Sequence, residues 1–333
     1  MKWSAVSRLQ TISLFLLICV SCYAAERADT LRGLGEVEVR AMGRSRPRIA
    51  DDGTVTLDAR MATLAPRVMG EADLMRMMLS TAGVSAISDY SSGASVDGMD
   101  YSQNLYLLNS VPVEFPYHFG GIFSTFNSAH YPRLTLYKNY HPFVASDCLG
   151  GIVLTESGST AQRRLTGTVN VGMTASSATL RIPARRITIE CSGRLSYIDA
   201  LYKRLISNKS TGVSYGFHDL DLAVTWRPDD HNTLRVFGHQ NIDRMLYSDI
   251  NFAMDTRMRW NNSVAGVIWQ GSSTEAGAGF SHLSNHLSLE MPNMDVAVPS
   301  SVNRWSLHAS QRFAIGTVNC RVGAAAYGVN ARP

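Results

Sequence analysis

"HDLDLAVTWRPDDHNTLRVFG" (residues 218–238) decides how this chain folds. Leu220, Leu222, Val224 and Trp226 fall on one side of an alternating pattern, and Asp219, Asp221 and Thr225 on the other. A period of two is the mark of a β-strand with two chemically different faces. "RPDDHNT" (227–233) then supplies turn residues, and "LRVFG" resumes the strand pattern. The same reading extends outward. In 187–197, Ile187, Ile189, Cys191, Leu195 and Tyr197 oppose Thr188, Glu190, Ser192, Arg194 and Ser196. In "TVNCRVGAAAYG" (317–328), Val318, Cys320, Val322, Ala324 and Ala326 oppose Asn319, Arg321 and Gly323. "QGSSTEA" (270–276) is a further turn. Residues 158–333 thus read as about nine strands of about ten residues, the length that a tilted membrane-crossing strand needs. A soluble sandwich also alternates. Strand length, and charges that share a face with small polar residues, favour a barrel with its apolar face outward.

The start of the chain is a different object. "MKWSAVSRLQ" carries Lys2 and Arg8 and no acid, "TISLFLLICVSC" is a short apolar run, and "CYAAE" offers small residues for cleavage after Ala24. This is the pattern of a secretory signal peptide over residues 1–24. The apolar run is too short to span a bilayer comfortably. Cys22 hints at a lipoprotein site, but Cys19 stands where an aliphatic residue is expected. Charged residues are only 17% of the chain, with 31 Lys plus Arg against 27 Asp plus Glu. That balance gives no electrostatic footprint for nucleic acid. Beyond the leader, Cys148, Cys191 and Cys320 are odd in number and far apart, which excludes a disulfide framework and a CxxC zinc pattern.

Residues 36–157 are mixed. "GEADLMRMMLSTAGV" has Ala72, Met75, Met78 and Leu79 at helical spacing, acids in its first turn and Gly83 at its end, which predicts a helix over roughly 70–81. Its methionines read as core rather than as metal ligands. "NLYLLNSVPV" and "RLTLYK" read as strands with turns between them. "DCLGGIVLTES" (147–157) is a strand with a double glycine, Gly150 and Gly151, at its start. "GEVEVRA" alternates over Val37 and Val39 as a short strand.

"GEADLMRMMLSTAGVS", "SVDGMDYSQNLYLLNSVPV", "SAHYPRLTLYKN" and "SDCLGGIVLTES" occur in an order and at spacings that resemble the plug domain of TonB-dependent outer-membrane receptors. The "TWRPDDHNTLRVFG" region resembles the strand–turn–strand units of that family's barrel. The resemblance implies a signal peptide, then a small α/β plug inside an antiparallel transmembrane β-barrel. The expected division is 1–24 signal peptide, 25–40 N-terminal segment with a TonB box, 41–157 plug and 158–333 the N-terminal part of the barrel. Family barrels have about 22 strands, and nine would not close around a plug of this size, so the barrel is expected to be incomplete here. Two departures stand out. Asp97-Gly98 replaces a common Arg-Gly, and Asn109-Ser110 replaces a common Asp-Gly before Val111, where glycine permits a tight turn.

The implied function is energised import to the periplasm of a scarce nutrient, such as a siderophore, cobalamin or haem, with no bond made or broken. The implied site is bacterial outer membrane, reached by signal-directed export. The implied partners are TonB with its inner-membrane energising complex, outer-membrane lipid and a small nutrient ligand, with no nucleic acid and no cofactor. Gly35, Glu36, Val37, Glu38 and Val39 resemble the TonB box; an added-strand pairing would draw affinity from backbone hydrogen bonds. The plug-tip candidates for ligand contact are Met99, Asp100 and Tyr101 in one turn and Glu114, Tyr117 and His118 in the next, aromatic groups with a few polar tips. The competing reading for all six is packing of plug against barrel. His118, His130 and His141 are spaced unlike any metal motif, and no metal site is expected. Gly150 and Gly151 are expected at the plug–barrel seam. No HExxH, phosphate-loop or paired metal motif is present, so an enzyme is not expected. An adhesin or a passive pore without TonB coupling is the remaining alternative.

Overall fold

A computed structural model describes residues 47–50, 52–62, 69–88, 91–138, 148–158, 164–201, 207 and 210–333. The leader 1–24, the TonB-box-like residues Gly35 to Val39, His141 and the linking residues 159–163 lie outside the described residues. Among the described residues no helix is long and apolar enough to cross a membrane.

The alternation of 218–238 becomes two paired strands of a nine-stranded antiparallel sheet, the wall. Its strands follow chain order: β11 (Thr166–Val171), β12 (Ala175–Ala184), β13 (Ile187–Ser196), β14 (Thr211–Trp226), β15 (Thr233–Asp249), β16 (Met254–Gln270), β17 (Thr274–Met291), β18 (Met294–Ile315) and β19 (Val318–Arg332). The strand number matches the sequence reading. The lengths do not: several run well past ten residues, and β18 reaches 22. Connections of two to six residues join every neighbouring pair of strands except β13 and β14, and β14 runs on past its pairing with β13. In the 227–232 turn the Asp229 carboxylate accepts from the backbone of His231 and Asn232, both at 2.8 Å, the local chemistry that Asp brings to turns.

The wall is packed inside-out. On β14, Leu220, Leu222 and Trp226 are 60%, 49% and 45% exposed, whereas Asp219, Asp221 and Thr225 are 3%, 1% and 1% exposed. On β13, Ile187, Ile189 and Leu195 face outward and Thr188, Glu190, Ser192 and Arg194 are buried. A membrane-crossing wall has this polarity, with apolar residues to lipid and polar ones inward.

The inward face is covered by a smaller domain, the plug. It has a six-stranded mixed sheet in the order β1 (Arg48–Ile49), β2 (Val55–Asp58), β9 (Arg133–Tyr137), β10 (Ile152–Glu156), β5 (Leu105–Leu108), β6 (Val111–Val113). β10 pairs parallel with β5 and antiparallel with β9. Two small hairpins flank the sheet, β3 (Val84–Ala86) with β4 (Ala94–Val96), and β7 (Tyr117–His118) with β8 (Phe123–Ser124). The helix predicted over 70–81 is shorter. α1 (Ala59–Ala62) precedes it, and α2 is confined to Leu74–Met77 with a 3-10 turn over Met78–Ser80. Met69 and Gly70 have positive φ, which is not helical, and the Asp73 carboxylate caps the start by accepting from Met75 N at 2.8 Å. Ala72, read as part of the helical face, thus precedes the cap. Met75 and Met78 are wholly buried with Leu57, Leu74, Leu134 and Leu136.

Asn109 and Ser110 both have positive φ between the paired residues Leu108 and Val111. The turn is therefore a two-residue hairpin loop of the type that usually carries glycine, and Ser110 keeps that geometry rather than altering it. Asp97 and Gly98 do the same between the bridged Val96 and Met99.

Candidate functional site

The polar residues of the inward wall face and the turns of the plug meet in one buried, charged contact. Strand alternation aims Arg194 of β13, Asp219 and Asp221 of β14, and His239 and Asp243 of β15 inward. The β7 hairpin brings His118 among them. His118 Nδ1 lies 2.9 Å from Asp243 Oδ2, and Nε2 lies 2.9 Å from Asp219 Oδ1. Carboxylates only accept when ionised, so both ring nitrogens act as donors and the ring is an imidazolium. Burial alone would depress its pKa, but Asp219 and then Asp243 outweigh that and push it up to about 9. Tyr215 donates to Asp243, and Asn241 Nδ2 donates to it at 3.2 Å. Arg194 Nε donates to Asp219 at 2.6 Å, its Nη1 reaches Glu71 of the plug at 3.1 Å, and its Nη2 donates to the Ser124 carbonyl at 2.6 Å. Phe217 stacks on His118 with centroids 4.0 Å apart and lies 5.2 Å beneath the Arg194 guanidinium.

A second contact lies beside it. Tyr131 donates to Asp221 at 2.6 Å, and His239 Nδ1 shares the same oxygen at 2.6 Å. Burial, with the Asp221 charge behind it, holds the Tyr131 hydroxyl well above the usual tyrosine range. Asn127 donates to Ser192 at 2.7 Å. At the far end of the plug sheet, Arg235 donates to Asn109 Oδ1 at 3.3 Å. Between these charged points β6 packs without polar help. A Cβ at Gly266 would lie 2.7 Å from Phe237 and 2.9 Å from Val111, and one at Gly279 would collide with Val111. These wall glycines let the plug backbone come close.

The sequence-predicted plug-tip residues fall in two environments. Met99 and Asp100 are exposed and Tyr101 is half-buried. Asp100 starts a 3-10 turn through a capping box, accepting from Ser102 N at 2.9 Å while Gln103 Oε1 accepts from Asp100 N at 3.1 Å. The Ser102 hydroxyl and amide hold its carboxyl below the usual range. Glu114 is half-buried, with Oε1 2.9 Å from Arg304 Nε of β18. Tyr117 and His118 are enclosed. The structure brings Tyr101 and Tyr117 together, 6.3 Å between centroids, within an aromatic cluster that includes Tyr106 and Phe115. Tyr117 donates to the Tyr106 hydroxyl at 2.7 Å. Gly150 and Gly151, expected at the seam, have plug neighbours instead. Gly150 abuts Gln103 and Asn104, a Cβ on Gly151 would lie 2.9 Å from Val96, and Gly151 N donates to Asn104 Oδ1 at 2.9 Å.

Sequence reasoning did not single out Arg194, Tyr215, His239 or Asp243. The signal was present in β14, where two acids on the face opposite four apolar residues require buried partners. Among the described residues no cluster of three or more His, Cys, Asp or Glu could hold a metal ion.

No protein-family model and no curated protein matches the chain. Solved structures do. A ferric enterobactin receptor mutant (PfeA) from Pseudomonas aeruginosa matches with TM-score 0.57 and 14% identity over 83% of this chain and 48% of that one. The outer membrane transporter YddB from Escherichia coli matches with TM-score 0.59 and 14% identity over 84% and 48%. The copper transporter OprC matches with TM-score 0.59 and 14% identity over 86% and 47%. This chain spans about half the length of each. At such identities the likeness is one of architecture, and the plug set against an inside-out wall is the fold of outer-membrane receptors and transporters.

Proposed function

We propose that the chain is the plug and part of the wall of an outer-membrane receptor that binds a scarce nutrient and admits it to the periplasm with energy passed through TonB. The observation that carries this reading is an α/β domain seated on the polar face of an inside-out wall and pinned there by buried ion pairs. A passive pore has no use for such an obstruction. A device that must be plugged at rest and opened by work does.

In this reading Met99, Asp100 and Tyr101 form the ligand-facing tip. Glu114 and His118 hold that tip to the wall, and Tyr117 packs it against Tyr106 and Phe115. The exposed tip offers a thioether, a carboxylate and a phenol, which suit a bulky ligand with mixed chemistry. A ferric siderophore is the first ligand to test, because solved structures of this fold include a ferric enterobactin receptor and siderophore receptors. Residues 35–39 supply the extended segment for TonB. Residues 1–24 direct export, 41–157 form the plug and 158–333 the wall. The reaction makes and breaks no covalent bond.

The test is uptake of a radiolabelled ferric siderophore by cells that carry the full-length gene product. Deleting residues 35–39 abolishes uptake while leaving surface binding intact. Uptake that survives the deletion overturns the TonB-box assignment. Uptake that survives collapse of the proton gradient overturns energised transport, and leaves the passive pore.

A further inference from the structure

The outward face of the wall carries a feature that neither the plug nor import uses. Trp260, Asn262 and Val264 of β16 face the plug, so Arg259 and Asn261 point away from it. Register then aligns two outward rows. Arg244, Arg259, His286 and Pro299 lie abreast on β15 to β18. Asn261, Ser284, Ser301 and Arg332 lie abreast on β16 to β19, two residues nearer the apolar belt. Between these rows is a depression of about 550 Å³, lined by Arg259, Asn261, Ser284, His286, Ser301 and Arg332 among others. The next outward row holds Leu246, Arg257, Ser288 and Ala297, and the row beyond it is acidic, with Asp255, Glu290 and Asp295 abreast; Glu290 pairs with Arg257. Arg244, Arg259 and Arg332 have no acidic partner among the described residues.

A second depression, of about 560 Å³, lies on the same face of the same strands. It has Val267, Trp269 and Leu307 as walls and a floor that includes Ala276, Ala278 and Ala309. It is offset from the basic one by eight residues on β16, from Arg259 to Val267, and by the same on β18, from Pro299 to Leu307. Eight residues are about 26 Å along a strand. At a tilt of about 45° that is about 19 Å in depth, somewhat more than the ~15 Å of one leaflet's hydrocarbon. A basic, hydrogen-bonding hollow thus stands one leaflet above an apolar one, with Phe280 and Trp305 between them.

We propose that these two hollows form one binding site for a phosphate-bearing lipid, with its headgroup on Arg244, Arg259 and Arg332 and an acyl chain in the alanine-floored groove. The inference rests on the wall crossing a membrane. Guanidinium groups suit phosphate because their forked donors match its oxygens. Asn261, Ser284 and Ser301 supply neutral donors beside them. The apolar hollow distinguishes an amphiphile from a free phosphate, since only the former fills both.

The test uses the full chain in phosphatidylcholine micelles, with phosphatidic acid of the same acyl chains as the probe and native mass spectrometry as the readout. Wild type retains phosphatidic acid in preference to phosphatidylcholine. An arginine near a membrane surface is worth about fivefold in affinity for anionic lipid, so R244Q/R259Q/R332Q lowers retention roughly a hundredfold. Ala278→Trp, which fills the groove on an outward position, also lowers it. Arg257→Gln does not, because Arg257 is already paired. Glycerol phosphate at the same concentration fails to displace the lipid. Equal retention by the triple variant overturns the site, and displacement by glycerol phosphate overturns the lipid as its occupant. Insertion into phosphatidylcholine vesicles is measured in parallel by protease protection. If wild type does not insert, the membrane reading falls and takes this inference with it. If it inserts but shows no preference for phosphatidic acid, the inference alone falls.

Discussion

His118 shows how one side chain can tie two domains. Removing an ion from a buried network leaves its partners uncompensated, at a typical cost of about 3–5 kcal/mol. His118→Gln keeps the size and two polar atoms but leaves Asp219 and Asp243 facing a neutral group. We expect urea unfolding of the full chain in micelles to show a loss of that order, and limited proteolysis to cut the plug faster. The pH dependence has a definite sign. Its folded-state pKa is raised from 6.5 to about 9, so its contribution is complete below about pH 6.5 and is lost as pH rises through 9. Wild-type stability should fall across that window more steeply than that of His118→Gln. Parallel profiles would mean that His118 is neutral in the folded protein. The double glycine acts by space instead of charge. Gly151 is close to Val96, and Gly150 donates to Gln103 O at 3.0 Å, an approach that any larger residue would push apart.

At the scale of elements, the β5–β6 hairpin is the most informative. Its two loop residues both lie in the left-handed region, where non-glycine residues other than Asn and Asp are costly. Asn109 is held there by its side chain, whose Oδ1 accepts from Ser157 N at 3.0 Å and from Arg235. Ser110 has φ +68 and no comparable tie among the described hydrogen bonds. Ser110→Gly should therefore stabilise the plug by about 1 kcal/mol, whereas Asn109→Ala should destabilise it, both read by urea midpoint. The β-strand pattern was legible because period two is strong and local. The shortened α2 was not, because the positive φ at Met69 and Gly70 follows from contact with the wall, where Met173 N donates to Met69 O at 2.9 Å. Hydrophobic spacing carries no trace of such a contact.

For the whole molecule, the sequence disclosed that two chemically different faces exist, and strand length with the charges sharing a face with small polar residues told which one points in. It did not pair particular groups across the contact. His118 lies 101 residues from Asp219 and 125 from Asp243 in the chain, and register over that range depends on every intervening turn. The inside-out wall gives a direct test. Leu222→Arg on the outward face should cost about 2–4 kcal/mol for folding into lipid vesicles if it sits near the bilayer midplane. If the wall were a water-soluble sheet, the same change would be neutral or would raise solubility. Reversible refolding into vesicles separates the two.

The outward tryptophans also give the protein a built-in optical depth gauge. Trp226 and Trp269 stand on one level, since both pair with Leu234. Trp305 stands level with Ala265 through Phe280, four residues before Trp269 on β16, or about 13 Å of strand. Trp260 points inward and is buried. Bromine placed at successive acyl-chain carbons should quench the emission of Trp305 and that of the Trp226–Trp269 pair at different depths. Single Trp→Phe replacements would assign each component, and Trp260 should remain bright throughout. If all four were quenched alike, the wall would not be oriented across the lipid.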